Sequence, residues 1–281
     1  VSAPAGLRRA VILSAFANWL CSLPPTIATL FAMSLAAGFS VGTLLLMHRF
    51  ISHPLRSQHN DVAGFVLAIV GVIYAVLLAF IAIAVWESYA AADNLVQTEA
   101  NLVDDLYRGT ISLPPGVATT LRADLFSYTE TVMKQEWPEM TTSMPARISG
   151  WLALDHFHLG LVEMHPQDGP TLAAQSSMLQ NLNKLYDVRR GRFHAAESSL
   201  PPILWWNLLA GAVILIVFSS LFGAPRIAMH AVMVGLLGAS IGLVLMLVVL
   251  LDNPFVGRSQ VSVEPFKSLT RAVETMDYPH P

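Results

Sequence analysis

Charge is scarce in this 281-residue chain. Asp, Glu, Lys and Arg together make up 12% of it, about half the roughly 25% of an ordinary soluble domain. Apolar residues make up 54% and the mean hydropathy is +0.56, so the composition is that of a membrane protein. The shortfall excludes a basic nucleic-acid binder and a disordered tail protein. Cysteine is nearly absent: Cys21 stands alone, which forbids an internal disulfide, excludes a stapled secreted module and leaves no second thiol for a metal site. Catalytic signatures are missing too. The chain has no Gly-rich phosphate loop, no Gly-x-Ser-x-Gly elbow and no His-Glu-x-x-His. No nucleophile–base pair is visible, so neither an enzyme nor a resident cofactor is expected. Strand-type alternation appears nowhere, which leaves an all-α, polytopic membrane fold.

What the chain has is long apolar runs. A spanning helix needs about 20 mostly apolar residues to cross roughly 30 Å of hydrocarbon. Four stretches qualify: Thr26 to Met47, Val62 to Trp86, Ile203 to Phe222, and Ile227 to Leu251, whose only ionisable residue is His230. Backbone groups in lipid must be satisfied within the segment, so these are helices. A fifth run, Ala10 to Leu23, is only 14 residues long and is broken by Pro24-Pro25. It reads as a short interfacial helix, a signal-like segment, or an extension upstream of the native start. The resulting division is 1–25 (N-terminal segment), 26–86 (spans one and two), 87–202 (extramembrane helical domain), 203–251 (spans three and four) and 252–281 (C-terminal tail).

Four spans place both termini and 87–202 on one side. Eight Lys or Arg flank the spans on that side against Arg49, Arg56 and Arg226 on the other, which favours a cytoplasmic domain and termini in a multi-pass protein of the inner membrane. Within 87–202 the periodicity is helical. Tyr89, Ala92, Val96, Val103 and Leu106 share one stripe, and neither Pro nor Gly interrupts span two before Gly109, so a single helix of about 70 Å is expected. Pro114-Pro115 opens a helix that Pro138 is expected to end. A third starts at Pro145, and a fourth runs from about Leu172 to Ser199 through Leu182, Leu185 and Arg189. Glu99 and Asp104-Asp105 read as a solvated acidic face. His156 and His158, beside Asp155, read as surface.

Small residues mark close helix contact in membranes. Span one carries Ala28, Ala32, Ala36, Gly38, Ser40 and Gly42; span four carries Ala231, Gly235, Gly238 and Gly242. Span two has two stripes. Gly64, Ala68, Gly71, Ala75, Ala79 and Ala82 form a slim side that suits a neighbouring subunit. Ile69, Ile73, Val76, Phe80, Ile83 and Glu87 form a bulky side about 100° away, which either faces lipid or lines a pore with a hydrophobic constriction. Asp61 opens span two as a helix cap; with His59 and with His230 in span four it would alternatively make a site for an ion or a proton. Glu87 and Asp252 form a candidate acidic rim. Asp252 opposes the dipole at the C-terminal end of its helix, and Arg189 to Arg192 are its expected partners.

Particular runs resemble the bacterial bestrophin-like domain family. These are His59-Asn60-Asp61-Val62-Ala63-Gly64-Phe65 and Gly71-Val72-Ile73-Tyr74, with Trp86-Glu87 at the end of span two, followed by Gln135-Glu136-Trp137-Pro138. Further along come Leu182-Asn183, Asp187-Val188-Arg189-Arg190, Leu221-Phe222-Gly223 and Leu251-Asp252-Asn253-Pro254-Phe255. They extend over residues 26–267. The resemblance implies kinship with pentameric ion channels that have four spans, a large cytosolic helical region and a second span lining a neck of bulky apolar residues. It does not extend to the consecutive acids of the calcium clasp in animal bestrophins, for which Asp104-Asp105 is the only local counterpart.

Two functions are therefore expected in competition. One is a homo-oligomeric passive ion channel in membrane lipid, with an inorganic ion as the transported species and span two around the pore. The other is a non-conducting scaffold or sensor that relays a membrane or pH signal to a cytoplasmic partner. Neither calls for a nucleic-acid partner.

Overall fold

The structure is a computed structural model and describes residues 19–51, 60–141 and 149–276. Every regular element among them is helical: α1 (Pro25–Phe50), α2 (Asn60–Gly109), α3 (Pro115–Thr131), α4 (Trp137–Thr141), α5 (Ser149–Glu163), α6 (Gly169–Glu197), α7 (Pro202–Ser220), α8 (Ile227–Asp252) and α9 (Glu264–Met276). A 3-10 turn, Thr110–Ser112, follows α2, and a π-helical turn, Val132–Glu136, joins α3 to α4.

Three Pro-Pro pairs write the starts of three helices. In Pro24-Pro25, Pro114-Pro115 and Pro201-Pro202 the second proline is the first helical residue and the first is the cap. Proline fits there because its fixed φ is already helical and the N–H it lacks would have had no acceptor. α6 starts differently: the Asp168 carboxylate accepts from Thr171 N and from the Thr171 hydroxyl, each at 2.8 Å, which satisfies one of the open N–H groups of the first turn.

α1, α2, α7 and α8 are each long and apolar enough to cross a membrane. The chain forms two compact units. The first contains α1, α2 as far as Ser88, α7, α8 and the short segment Gly257–Ser259. Its closest packing is α1 on α8. A Cβ on Gly238 would lie 2.7 Å from the Ala36 carbonyl oxygen, and one on Gly242 would lie 2.8 Å from that of Ala32. Only glycine lets these backbones approach so closely. Gly38 and Gly42 have nothing nearby, so they take no part in that contact. The Tyr74 ring of α2 lies on Gly211 of α7 in the same manner. Gly257, at φ 83°, lets Arg258 N donate to the Cys21 carbonyl at 3.0 Å.

The second unit, Tyr89–Ser198 with Pro254–Val256 and Gln260–Pro281, is a helical bundle. Its core is built from Ala92, Val96, Val103 and Leu106 of α2, Leu121, Leu125 and Tyr128 of α3, Phe157 and Leu161 of α5, Leu182 and Leu185 of α6, and Phe266 and Leu269 of α9. Trp137 meets Phe255 and Phe266 edge-on at 5.8 and 6.4 Å.

One expected boundary is overturned. The chain does not stop at Pro138. It stays helical from Pro115 to Thr141 by widening into the π turn at Val132–Glu136. Pro138 then falls in the first turn of α4, directly after the widened turn in which Trp137 N donates to the Val132 carbonyl, and that widening makes room for the proline ring. The expected start at Pro145 lies outside the described residues, as does most of the apolar run Ala10 to Leu23.

Candidate functional site

α2 sorts its span residues into two faces. Tyr74, Leu78, Ile81 and Val85 are buried within the first unit. Ile69, Ile73, Val76, Phe80 and Ile83 are between 47% and 69% exposed, and Glu87, one step further along the same stripe, is exposed as well. The slim side divides: Gly64 and Gly71 lie near Phe222 and Leu215, while Ala68, Ala75 and Ala79 are exposed beside the bulky stripe. One long helix therefore offers an uncovered apolar surface with a bulky and a narrow strip side by side.

The polar residues at the two ends of the spans are mostly engaged. At the start of α2, Asn60 Nδ2 donates to the Gly223 carbonyl and Asn60 Oδ1 accepts from Gly223 N, both at 2.9 Å. This reciprocal pair ties α2 to the chain just past α7, and both residues belong to the runs singled out in the sequence. Asp61 stands exposed in the first turn of α2. His230 is buried, with Nε2 3.1 Å from the Ser219 carbonyl, which requires the ring proton on Nε2. His59 lies outside the described residues. No group of three or more His, Cys, Asp or Glu able to hold a metal occurs among the described residues.

At the other end, Asp252 is answered, but not by arginine. Its carboxylate accepts from Leu200 N at 2.6 Å and from Trp205 Nε1 at 3.3 Å. The arginines expected to meet it are used elsewhere. Arg190 pairs with Asp187 at the surface, and Arg189 and Arg192 are fully buried in the bundle.

There they form a site that the sequence reading missed. Arg192 Nε and Nη2 fork onto the two Glu99 oxygens at 2.6 and 3.0 Å, and Nη2 also donates to Glu136 Oε2 at 2.9 Å. Arg189 Nη1 donates to Glu136 Oε2 at 2.9 Å, and Nη2 donates to Oε1. The Tyr128 hydroxyl donates to Glu99 and accepts from Arg189 Nη1 at 3.2 Å. The rings of Tyr128, Trp151 and Phe193 surround the Arg189 guanidinium, with centroids 4.8 to 5.2 Å away. Glu99 is thus not part of a solvated face. It lies three residues after Val96 and four before Val103, on the buried stripe itself, and that register was the available signal.

The cluster holds its charges. Burial alone would raise the Glu136 carboxyl, but hydrogen bonds from Arg189 and the charge of Arg192 outweigh it and hold the group below its ordinary value. Burial likewise works against the Arg192 guanidinium, yet Glu99 keeps it above its ordinary value. Arg189 is raised in the same way, by Tyr128 and Glu136 against burial. Tyr128 is pushed well up, by burial first and then by Glu99. Two carboxylates and two guanidiniums make a neutral set.

The family model described as Bestrophin-like domain matches residues 34–266. The chain belongs to the Bestrophin-like family. Solved structures agree on the fold of this family member. A point variant of a bacterial bestrophin homologue from Klebsiella pneumoniae is 14% identical with a TM-score of 0.65, over 89% of this chain and 99% of that one. Another crystal structure of that homologue is 15% identical with a TM-score of 0.65, over 90% and 99%. A search of curated proteins gives no match. Most of the runs that carried the resemblance prove to be structural joints of the Bestrophin-like chain: Asn60 with Gly223, Asp252 with Leu200 and Trp205, Glu136 with Arg189.

Proposed function

We propose that this bestrophin-like membrane protein is a passive ion channel assembled from several copies of the chain, with α2 of each copy around a shared pore. The observation that carries the reading is the uncovered stripe Ile69, Ile73, Val76, Phe80 and Ile83, which ends on exposed Glu87 while the opposite side of α2 is buried in its own unit. The narrow strip of Ala68, Ala75 and Ala79 suits close approach by a neighbouring protomer. The bulky stripe then forms a constriction that gates by excluding water, and Glu87 from each copy forms a carboxylate ring at its end. The wide exposed apolar faces of α1 and α8, with Phe39, Leu236 and Leu243 among them, meet lipid. Family membership supports the reading, because bestrophins are channels with this arrangement of spans.

The test is flux through purified protein in liposomes. Wild-type protein is expected to pass inorganic ions, and Phe80→Ala to raise the leak by removing the bulkiest ring of the constriction. Silence from both proteins would sink the proposal. It would leave the scaffold or sensor reading, in which a stable partner co-purifies in mild detergent.

A further inference from the structure

Among the described residues the Glu99–Glu136–Arg189–Arg192 cluster is the largest buried polar assembly, and the proposed pore stripe does not include it. It has no room for a ligand: a Cβ added at Gly150 would come within 3.0 Å of Arg189 Cζ and overlap the Glu136 carboxylate. Its members come from different elements, with Glu99 on α2, Glu136 on the π turn, and Arg189 and Arg192 on α6.

We propose that this cluster is a register lock, fixing the rotation of α2 about its own axis within the bundle and hence which of its faces stays uncovered. The bundle part of α2 carries apolar residues on more than one side, including Ala91, Leu95 and Leu102 beside the stripe of Ala92, Val96 and Val103. Turning the helix by one residue, about 100°, would bring Ala91, Leu95 and Leu102 inward and put Thr98 and Asp105 where Glu99 and Leu106 now lie. Apolar contact is non-directional, so among these positions it opposes the turn only where Asp105 would replace Leu106. The Arg192 fork is directional. Both of its N–H groups must meet both Glu99 oxygens, at 2.6 and 3.0 Å, and a guanidinium–carboxylate fork closes in one plane only. A rotated α2 would leave Arg192 buried without Glu99, and an uncompensated buried charge is among the most costly defects in a core. The cluster therefore acts against wrong registers more than it favours the right one, as a single buried polar residue does in a coiled coil. The π turn belongs to the same device. It carries Glu136, buried beside Val132, whose carboxylate meets both arginines.

This lock stands on the bundle geometry; only its consequence for conduction rests on the channel reading, and the experiment separates the two. Single cysteines replace Asn94 or Asn101, which are exposed, and Val96 or Val103, which are buried, in full-length protein carrying Cys21→Ala. Maleimide labelling is read in membranes, alongside helicity and particle size. With the cluster intact, the exposed positions should label about 10-fold faster than the buried ones. A five-site apolar variant (Glu99→Leu, Glu136→Leu, Arg189→Met, Arg192→Met, Tyr128→Phe) should stay folded, yet that contrast should fall to about twofold or less as α2 samples other rotations. A folded variant that keeps the full contrast overturns the lock. Collapse of the bundle overturns it too, since the cluster would then supply stability rather than register. Arg192→Lys is the conservative check. It keeps the charge and removes the fork, so it should narrow the contrast, and an unchanged contrast counts against the proposal. Intact contrast in a protein that conducts nothing would refute the channel and leave the lock standing.

Discussion

A carboxylate can stay ionised in a protein interior only if the groups around it replace the water it has lost. Glu136 meets that condition through both arginines, and the direction of its shift fixes how the bundle responds to acid. Its folded-state pKa lies below the ordinary 4.5, so its contribution to stability is fully present above about pH 4.5 and is lost as pH falls through the lower folded value. The bundle should therefore melt at a nearly constant temperature from neutrality to about pH 4.5 and less stably below it. Glu136→Gln removes one of the two buried negative charges while the guanidiniums remain, and should cost about 3–5 kcal/mol at neutral pH. It should also flatten the acid limb of the melting curve, because the group that titrates has gone. Thermal melts followed by tryptophan fluorescence between pH 3.5 and pH 7 check both expectations. Parallel acid limbs in the two proteins would show that other carboxylates set the response.

At the scale of elements, helix contact inside the first unit depends on backbone approach more than on side-chain bulk. Gly238 and Gly242 lie one turn apart on α8 and meet the α1 carbonyls of Ala36 and Ala32. Gly238→Val should force α1 and α8 apart and destabilise the span unit by about 1–3 kcal/mol, the usual range for overpacking. Gly42→Val on α1, a position with nothing near it, should leave the melting temperature of the detergent-solubilised protomer unchanged. Equal losses from both variants would refute the α1–α8 contact. Such elements were legible because their determinants are local: apolar length gives the spans, Pro-Pro pairs give three helix starts, and small residues four apart give the close approach. The π turn was not legible. A proline after a helical run is a stop signal unless the preceding turn widens, and no residue in Val132–Glu136 announces that widening. Glu99 was misassigned too. Its position on the stripe marks it as buried, but its partner Arg192 is 93 residues away in the chain, and charge alone favours solvent. Asp252 could be seen to need a partner; that the partner is the backbone N–H of Leu200 depends on tertiary placement.

On the scale of the whole molecule, the even number of spans assigns every long segment to one side of the membrane, and the flanking charges decide which side. Arg8, Arg9, Arg189, Arg190, Arg192, Arg258, Lys267 and Arg271 lie on the side of the 87–202 domain, against Arg49, Arg56 and Arg226 on the other. The structure qualifies this count. Arg189 and Arg192 are buried and neutralised by Glu99 and Glu136, and Arg190 and Arg271 are paired with Asp187 and Glu264. The folded charges therefore give a smaller excess than the sequence does. Topology, however, is set while the chain inserts, before the cluster exists, and Asp and Glu weigh little in that decision. The unfolded count is the relevant one, and on that ground we propose that the bundle is cytoplasmic. A cysteine in place of Gln97, exposed on the bundle part of α2, in a chain with Cys21→Ala, should therefore resist a membrane-impermeant maleimide in intact cells and react with it in inverted membrane vesicles. Labelling in intact cells would put the bundle outside and would mean that Arg49, Arg56 and Arg226, the charges nearest the spans, govern insertion. If α2 lines a pore as proposed, that orientation would turn Glu87 to the exterior, so the same labelling result decides which compartment the Glu87 end of α2 faces.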